Sequence, residues 1–166
     1  EVSLERLAFY IVRGGWPENI SVDEDKAHLM PRSYMQTVIE EDLNNLDDEI
    51  EYNRHKVELL LRSLARNETT TVSDSSLLKD IIEQENESMS RNTIAKYLQA
   101  LSRLFIFNNQ IPYSPNLRSS LRVKQAEKRH FSDPAMACAL LNITPEKLLN
   151  DLNTFGFLFE SLAERD

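Results

Sequence analysis

The sequence predicts a mostly α-helical fold that contains a winged helix-turn-helix. In residues 90–105 apolar side chains recur every three or four positions, which is typical of one face of a helix, and a β-prone segment follows directly. Upstream lie two more helical stripes and a short strand-like segment. The resulting order of helix, strand, helix, turn, helix and strand is that of a winged helix.

Composition limits the class of protein. The 166 residues are 41% hydrophobic, a fraction typical of globular proteins with a core. Neither a long apolar run nor a secretory signal is present, so we expect a cytoplasmic protein without a membrane partner. The single cysteine, Cys138, lies in an apolar run and is expected to be a small buried side chain.

Residues 1–52 are predicted to form an N-terminal helical segment. The spacing of Leu4, Leu7 and Ile11 indicates a first helix, which Gly14 and the residues after it should end. Pro31 is expected to open a second helix that runs to about residue 50.

Residues 53–115 are predicted to form the winged-helix domain. Its expected elements are a helix near residues 57–65, a strand at 69–72, a helix capped by Ser73, a polar turn at 83–89, a helix capped by Ser90, and a strand at 105–111. The apolar stripe of the last helix, which is expected to face the core, consists of Ile94, Tyr97, Leu98, Leu101, Leu104 and Phe105.

Residues 116–166 are predicted to hold a basic strand-like stretch, a turn and three helices. One helix is expected at residues 135–141, a second begins at the Thr144 cap with Pro145 at its first position, and a third starts near Phe155. This third helix has no stop signal before Asp166, and the chain begins without Met. We therefore expect it to be part of a longer protein.

Charge is distributed unevenly along the chain. The formal net charge is −8, and residues 18–58 hold twelve acidic and four basic residues. Residues 118–130 hold five basic residues and one acidic residue. Nonspecific nucleic-acid binding by the whole chain is therefore disfavoured, but local binding is not.

Double-stranded DNA is the partner that the helix-turn-helix pattern favours. Arg91 and Asn92, in the first turn of the second helix, are predicted to read base edges, while Thr93 and Lys96 contact phosphate. A basic wing would follow the adjacent backbone through Arg118, Arg122, Lys124, Lys128 and Arg129.

An acidic turn weakens this hypothesis. The carboxylates of Glu83, Glu85 and Glu87 directly precede the second helix and would repel phosphate. The alternative is a protein–protein docking or scaffold domain, since a fold does not fix a function. In that case Trp16 and Pro17 are the candidate interface residues, although the indole of Trp16 could also pack over the first two helices.

Catalytic residues and metal ligands are not expected. The chain has three glycines and no P-loop motif, so it cannot wrap nucleotide phosphates in that way. His28, His55 and His130 are far apart and lack ligand-spaced partners, which favours ordinary surface or packing histidines. Consecutive acids at residues 40–42 and 47–49 point in different directions on a helix and favour a solvated face.

Several short motifs together resemble one known family. They are Arg-Gly-Gly-Trp-Pro-Glu at 13–18, residues 34–43 with Glu-Asp-Leu at their end, Leu-Leu-Arg-Ser-Leu-Ala at 60–65, residues 90–101, Tyr-Ser-Pro-Asn-Leu at 113–117, Phe-Ser-Asp-Pro-Ala at 131–135 and Gly-Phe-Leu-Phe-Glu at 156–160. In order and spacing the chain resembles the C-terminal half of prokaryotic AAA+ ATPases with an appended domain of unknown function.

The resemblance implies a longer parent protein with an upstream P-loop ATPase domain, which would bind ATP and Mg. It also implies that residues 116–166 open a restriction-endonuclease-like α/β domain, in which Glu160 takes the place of a possible metal-site acid. One carboxylate cannot hold a catalytic cation, so this chain is expected to be non-catalytic and to bring no cofactor of its own. Its partners would be the upstream ATPase domain and the downstream domain of the same protein.

Overall fold

The N-terminal helix begins and ends at the residues that the sequence indicates. The computed structural model describes residues 2–46, 51–110 and 127–166. Helix α1 (Leu4–Arg13) starts where the Ser3 side chain accepts a hydrogen bond from the backbone N–H of Arg6. It ends at Gly14, whose φ of 75° places it in the region that favours glycine. A side chain there would also collide with the Trp16 ring, 2.5 Å from an added Cβ.

The second helix starts earlier than predicted. Helix α2 (Leu29–Thr37) continues through a π-helical turn (Val38–Asp42) into the short helix α3 (Leu43–Asn45). Pro31 is the third residue of α2 and does not open it. Its position is still compatible with proline, because first-turn backbone N–H groups have no partner within the helix.

Three capped helices follow, with bounds close to those predicted. They are α4 (Arg54–Arg66), α5 (Asp74–Glu85) and α6 (Arg91–Arg103). Ser73 and Ser90 each accept a hydrogen bond from a first-turn backbone N–H, which confirms both predicted caps. Asn53 does the same for α4.

A small sheet connects the middle of the chain to its C-terminal part. Strands β1 (Phe107–Gln110) and β2 (Lys128–Phe131) are antiparallel, with Phe107 opposite Phe131 and Gln110 opposite Lys128. On its other side β2 meets the loop after α4, where Thr70 and Arg129 form an isolated antiparallel bridge. The strand predicted at residues 69–72 is therefore reduced to one bridge.

The prediction for Phe105 is wrong, because α6 ends in a turn that changes the direction of this side chain. The backbone N–H of Ile106 bonds to the carbonyl of Leu101, and that of Phe105 bonds to the carbonyl of Ser102. This is the Schellman pattern, which requires a left-handed residue between helix and strand, and Phe105 takes that position with φ 55°. The turn directs Phe105 outward, where it is 75% exposed, so it neither faces the core nor starts the strand.

Three C-terminal helices complete the fold: α7 (Pro134–Leu140), α8 (Pro145–Leu149) and α9 (Leu152–Arg165). Side chains of Asp133, Thr144 and Asp151 cap their first turns, and the Thr144 cap confirms the prediction. Cys138 in α7 is buried, also as predicted, and burial raises the pKa of its thiol.

The two ends of the chain pack together. Helix α1 contacts α7, α8 and α9, whereas α4 lies between α7 and α5. The buried apolar residues form one continuous cluster through all of these helices. The prediction of a mostly helical fold is confirmed, with a small two-stranded sheet. No helix in the described ranges is long and apolar enough to cross a membrane.

Candidate nucleic-acid interface

Helix α6 is fixed against the core by its apolar stripe. Ile94, Tyr97, Leu98 and Leu101 are all buried, as the spacing predicted. The Tyr97 hydroxyl also accepts a hydrogen bond from the backbone N–H of Asn53, at 3.0 Å. The first turn of α4 and the middle of α6 are therefore held together.

The opposite face of α6 is exposed, polar and basic. Arg91 and Asn92 are both exposed, as predicted for residues that read bases. Lys96, Gln99 and Arg103 continue the same exposed stripe over the next two turns. This helix carries three basic residues and no acidic residue. Gln99 and Arg103 were not among the predicted site residues, although their spacing from Asn92 and Lys96 would have identified them.

Two residues of α6 that are predicted to contact phosphate, Thr93 and Lys96, also interact with neighbouring side chains. Thr93 is half-buried, and its hydroxyl lies 2.8 Å from that of the cap residue Ser90. The Lys96 ammonium lies 5.8 Å from the centre of the Tyr52 ring, a cation–π distance that leaves the nitrogen at the surface.

Glu83 and Glu85, predicted to lie in an acidic turn, belong instead to the last turn of α5, and ion pairs alter their electrostatics. Glu85 is largely buried and pairs with Arg66 at 2.8 Å and with Arg62 at 3.5 Å. Glu83 lies 3.5 Å from Lys79. Glu87 lies 3.6 Å from a ring nitrogen of His55, a pair that is ionic only when the histidine is protonated. The predicted repulsion of phosphate is therefore reduced, most strongly at Glu85.

The basic residues of β2 are engaged within the protein. Arg129 is half-buried and pairs with Asp74 of α5 at 2.6 Å. Lys128 pairs with Glu160 of α9. The other three predicted wing residues, Arg118, Arg122 and Lys124, lie outside the described residues.

A buried polar cluster, which the sequence did not predict, lies behind β2. The carboxylate of Glu68, 4% exposed, accepts hydrogen bonds from the backbone N–H of Phe131 at 3.1 Å and from the Ser161 hydroxyl at 2.7 Å. Nδ1 of His130 is 4.0 Å from the same carboxylate, and neither ring nitrogen of this buried side chain has a hydrogen-bond partner in the described part of the chain. Thr69, next to Glu68, is buried with φ 58°, a rare conformation for a β-branched residue.

Burial shifts both titratable groups of this cluster toward their neutral forms. Desolvation raises the pKa of Glu68 to about 7, against the opposing effect of its hydrogen bonds. Burial lowers the pKa of His130, although the negative charges of Glu160 and Glu164 oppose that shift. Because a low-dielectric environment disfavours either charge, the neutral acid and the neutral imidazole are favoured together.

The sequence comparison places the chain in a family. A family model described as a domain of unknown function, DUF8612, matches residues 4–147. The chain belongs to this family.

The DUF8612 match runs without a break from α1 into α8. It therefore includes the whole of α6, the β1–β2 sheet, Glu68 and His130, and it ends before Ser161. No curated protein and no solved structure matches the chain.

The remaining predicted residues of this DUF8612 chain lie away from α6. Trp16 is half-buried against Tyr34 of α2, with ring centres 5.5 Å apart, whereas Pro17 is exposed. Glu160 is exposed and paired with Lys128. Within residues 2–46, 51–110 and 127–166, no group of three or more His, Cys, Asp or Glu side chains could hold a metal ion.

Proposed function

We propose that the segment from α4 to β2 is a winged helix that binds double-stranded DNA through α6. The order of elements supports this: α4, the Thr70 bridge, α5, α6, β1 and β2 follow one another as in a winged helix, and β2 lies between the bridge and β1. In such a fold α6 is the second helix of the helix-turn-helix, whose first turns enter the major groove.

The observation that carries the proposal is the charge of the exposed face of α6. In a chain with net charge −8, Arg91, Lys96 and Arg103 lie on one helix with no carboxylate among them. None of the three forms an ion pair with another described residue, so their charges are available to phosphate. In this proposal Arg91 reads a guanine edge and Asn92 an adenine edge, and Lys96 contacts phosphate.

The ion pairs of β2 limit how strongly DNA is bound. Lys128 and Arg129 would have to leave Glu160 and Asp74 before they could contact phosphate, so α6 supplies most of the electrostatic attraction. Binding through few phosphate contacts falls with salt less steeply than binding through a large basic surface.

The test is a titration of duplex DNA at two salt concentrations. Each lost phosphate contact should lower the salt slope by about one, so Lys96→Ala should weaken binding to all sequences and reduce the slope. Arg91→Ala should weaken binding and relax sequence preference at one base pair, at a cost of about 1–3 kcal/mol. Random-sequence duplexes allow both effects to be measured without knowledge of the natural site.

Lys26→Ala is the matched control. Lys26 is an exposed lysine that precedes α2, outside the segment from α4 to β2, and it pairs with Asp23 at 3.1 Å. Its loss removes the same charge from another surface, and DNA binding should not change. Undetectable binding of the unaltered protein at low salt would refute the proposal, as would equal losses for Lys26→Ala and Lys96→Ala.

A second candidate function is protein docking, which one observation favours. Helix α9 exposes three large apolar side chains, Leu152 at 65%, Phe157 at 40% and Phe159 at 43%. The resemblance to AAA+ ATPases suggests a role in coupling an upstream ATPase domain to a downstream domain of a longer protein. In that case an ATPase domain supplied in trans should bind this chain, and polar substitutions at Phe157 and Phe159 should weaken the complex while Arg91→Ala does not.

A further inference from the structure

A small cavity lies between α2, the α7–α8 turn and α8. It has a volume of about 240 Å³, and among its lining residues are the basic side chains His28, Arg32 and Lys147. None of the lining residues is acidic. In a chain with net charge −8, two permanent positive charges, those of Arg32 and Lys147, lie at one cavity.

The α7–α8 turn holds Arg32 and Lys147 close together. Helix α7 ends with the backbone N–H of Ile143 bonded to the carbonyl of Cys138, and Asn142 takes the left-handed position with φ 53°. In this conformation the Asn142 side-chain oxygen accepts a hydrogen bond from Arg32, and its backbone carbonyl accepts one from the Lys147 ammonium at 3.0 Å.

The two cations have no ionic partner in the part of the chain that the structure describes. Most other basic residues there, such as Arg66, Arg129 and Arg165, are within 4 Å of a carboxylate, but Arg32 and Lys147 are not. Two like charges that share one asparagine repel each other, and an anion between them would remove that repulsion. The oxygen atoms of Asn142 accept hydrogen bonds from Arg32 and Lys147, but because they are neutral they do not compensate the positive charge of either side chain.

We infer that this cavity binds the phosphoryl group of a small molecule. A guanidinium, an ammonium and an imidazole at one cavity match the several oxygens of a phosphoryl group, and Thr144 also lines this cavity. The inner wall is apolar, with the buried Cys138 and with Ile143, so a ligand with a compact apolar body next to its phosphate fits better than free phosphate. This site is separate from α6 and does not depend on the proposed DNA binding.

The inference is tested by titrating the full chain with inorganic phosphate and with phenyl phosphate, at constant ionic strength, while amide NMR signals are recorded. We expect saturable shifts centred on Asn142, Ile143 and Lys147, and no such shifts with sodium chloride. Tighter binding of phenyl phosphate would support a phosphomonoester as the ligand class. Equal binding would support the phosphoryl site with free phosphate as its source.

Variants decide whether the named cations form the site. Arg32→Gln and Lys147→Gln each remove a charged hydrogen-bond donor and should weaken binding by about tenfold or more. Both side chains are exposed, so both variants should fold. Lys79→Gln is the control and should bind as the unaltered protein does. Shifts that do not saturate, or unchanged affinity in both Arg32→Gln and Lys147→Gln, would overturn the inference, whatever the result with duplex DNA.

Discussion

Substitution of Glu68 by Gln should stabilise the protein in alkaline solution but not in acid. The pKa of this buried carboxyl is about 7 in the folded protein, against an ordinary value of 4.5 that it regains on unfolding. The folded state therefore binds the proton more tightly, and the stability that this provides is fully present below pH 4.5 and lost as the pH rises to 7. At 1.36 kcal/mol for each pH unit, the loss amounts to about 3 kcal/mol.

The glutamine variant has no proton to lose, while its oxygen can still accept from Ser161 and from the N–H of Phe131. Urea unfolding at pH 5 and pH 8 measures the difference. From pH 5 to pH 8, the free energy of unfolding of the unaltered protein should fall by up to about 3 kcal/mol more than that of Glu68→Gln.

Two titratable groups lie close to Glu68, and the exposed one, Glu164, provides a control. His130 faces the same carboxylate, and the exposed Glu164 lies at the adjacent cleft, where it accepts a hydrogen bond from Gln110. Glu164→Gln removes one carboxylate charge from that cleft and leaves Glu68 in place, so it should retain the loss of stability between pH 5 and pH 8 that Glu68→Gln abolishes. If Glu68→Gln changes stability equally at pH 5 and pH 8, the carboxyl is not protonated in the folded state and the reasoning fails.

Further substitutions test the ends of α6. Phe105→Gly should stabilise the protein by about 1 kcal/mol, because a left-handed conformation costs an L-residue about 1–2 kcal/mol and the exposed ring contributes little packing. Phe105→Ala keeps the strained Cβ and should not show that gain in thermal or urea unfolding. Ser90→Ala should lower the free energy of unfolding by about 1 kcal/mol, because the backbone N–H of Thr93 loses its partner. An unchanged urea midpoint for Ser90→Ala would mean that water replaces the cap at no cost.

Local signals in the sequence predicted the helices well. The cap at Ser90 and the stripe from Ile94 to Leu101 depend only on residues within one helix, so spacing was sufficient to place them. Phe105 shows where spacing fails. In the sequence it keeps the three- to four-residue spacing of the apolar side chains in α6. However, the helix ends at residue 103, and the left-handed turn that follows directs the Phe105 side chain to solvent.

The polar cluster at Glu68 could not be predicted from local patterns. Glu68 lies just after α4 in a polar stretch where a glutamate is ordinarily exposed. Its burial depends on Ser161, 93 residues away, and on the backbone of Phe131 in β2. The ion pairs that hold Lys128 and Arg129 are also tertiary, so their basic character alone suggested a free wing. The exposed basic face of α6, by contrast, was predicted in part, because a helix with one apolar face must expose the other.

The hydrogen bond between Ser161 and Glu68 has a consequence for how the chain folds. A contact over 93 residues closes a long loop and is costly to form early, so this part of the core is expected to be completed late. During synthesis on the ribosome, α4 and the loop after it emerge long before α9. Docking of α9 completes the burial that raises the pKa of Glu68 to about 7, so this step takes up part of a proton near pH 7 and is thermodynamically more favourable in acid than in alkaline solution.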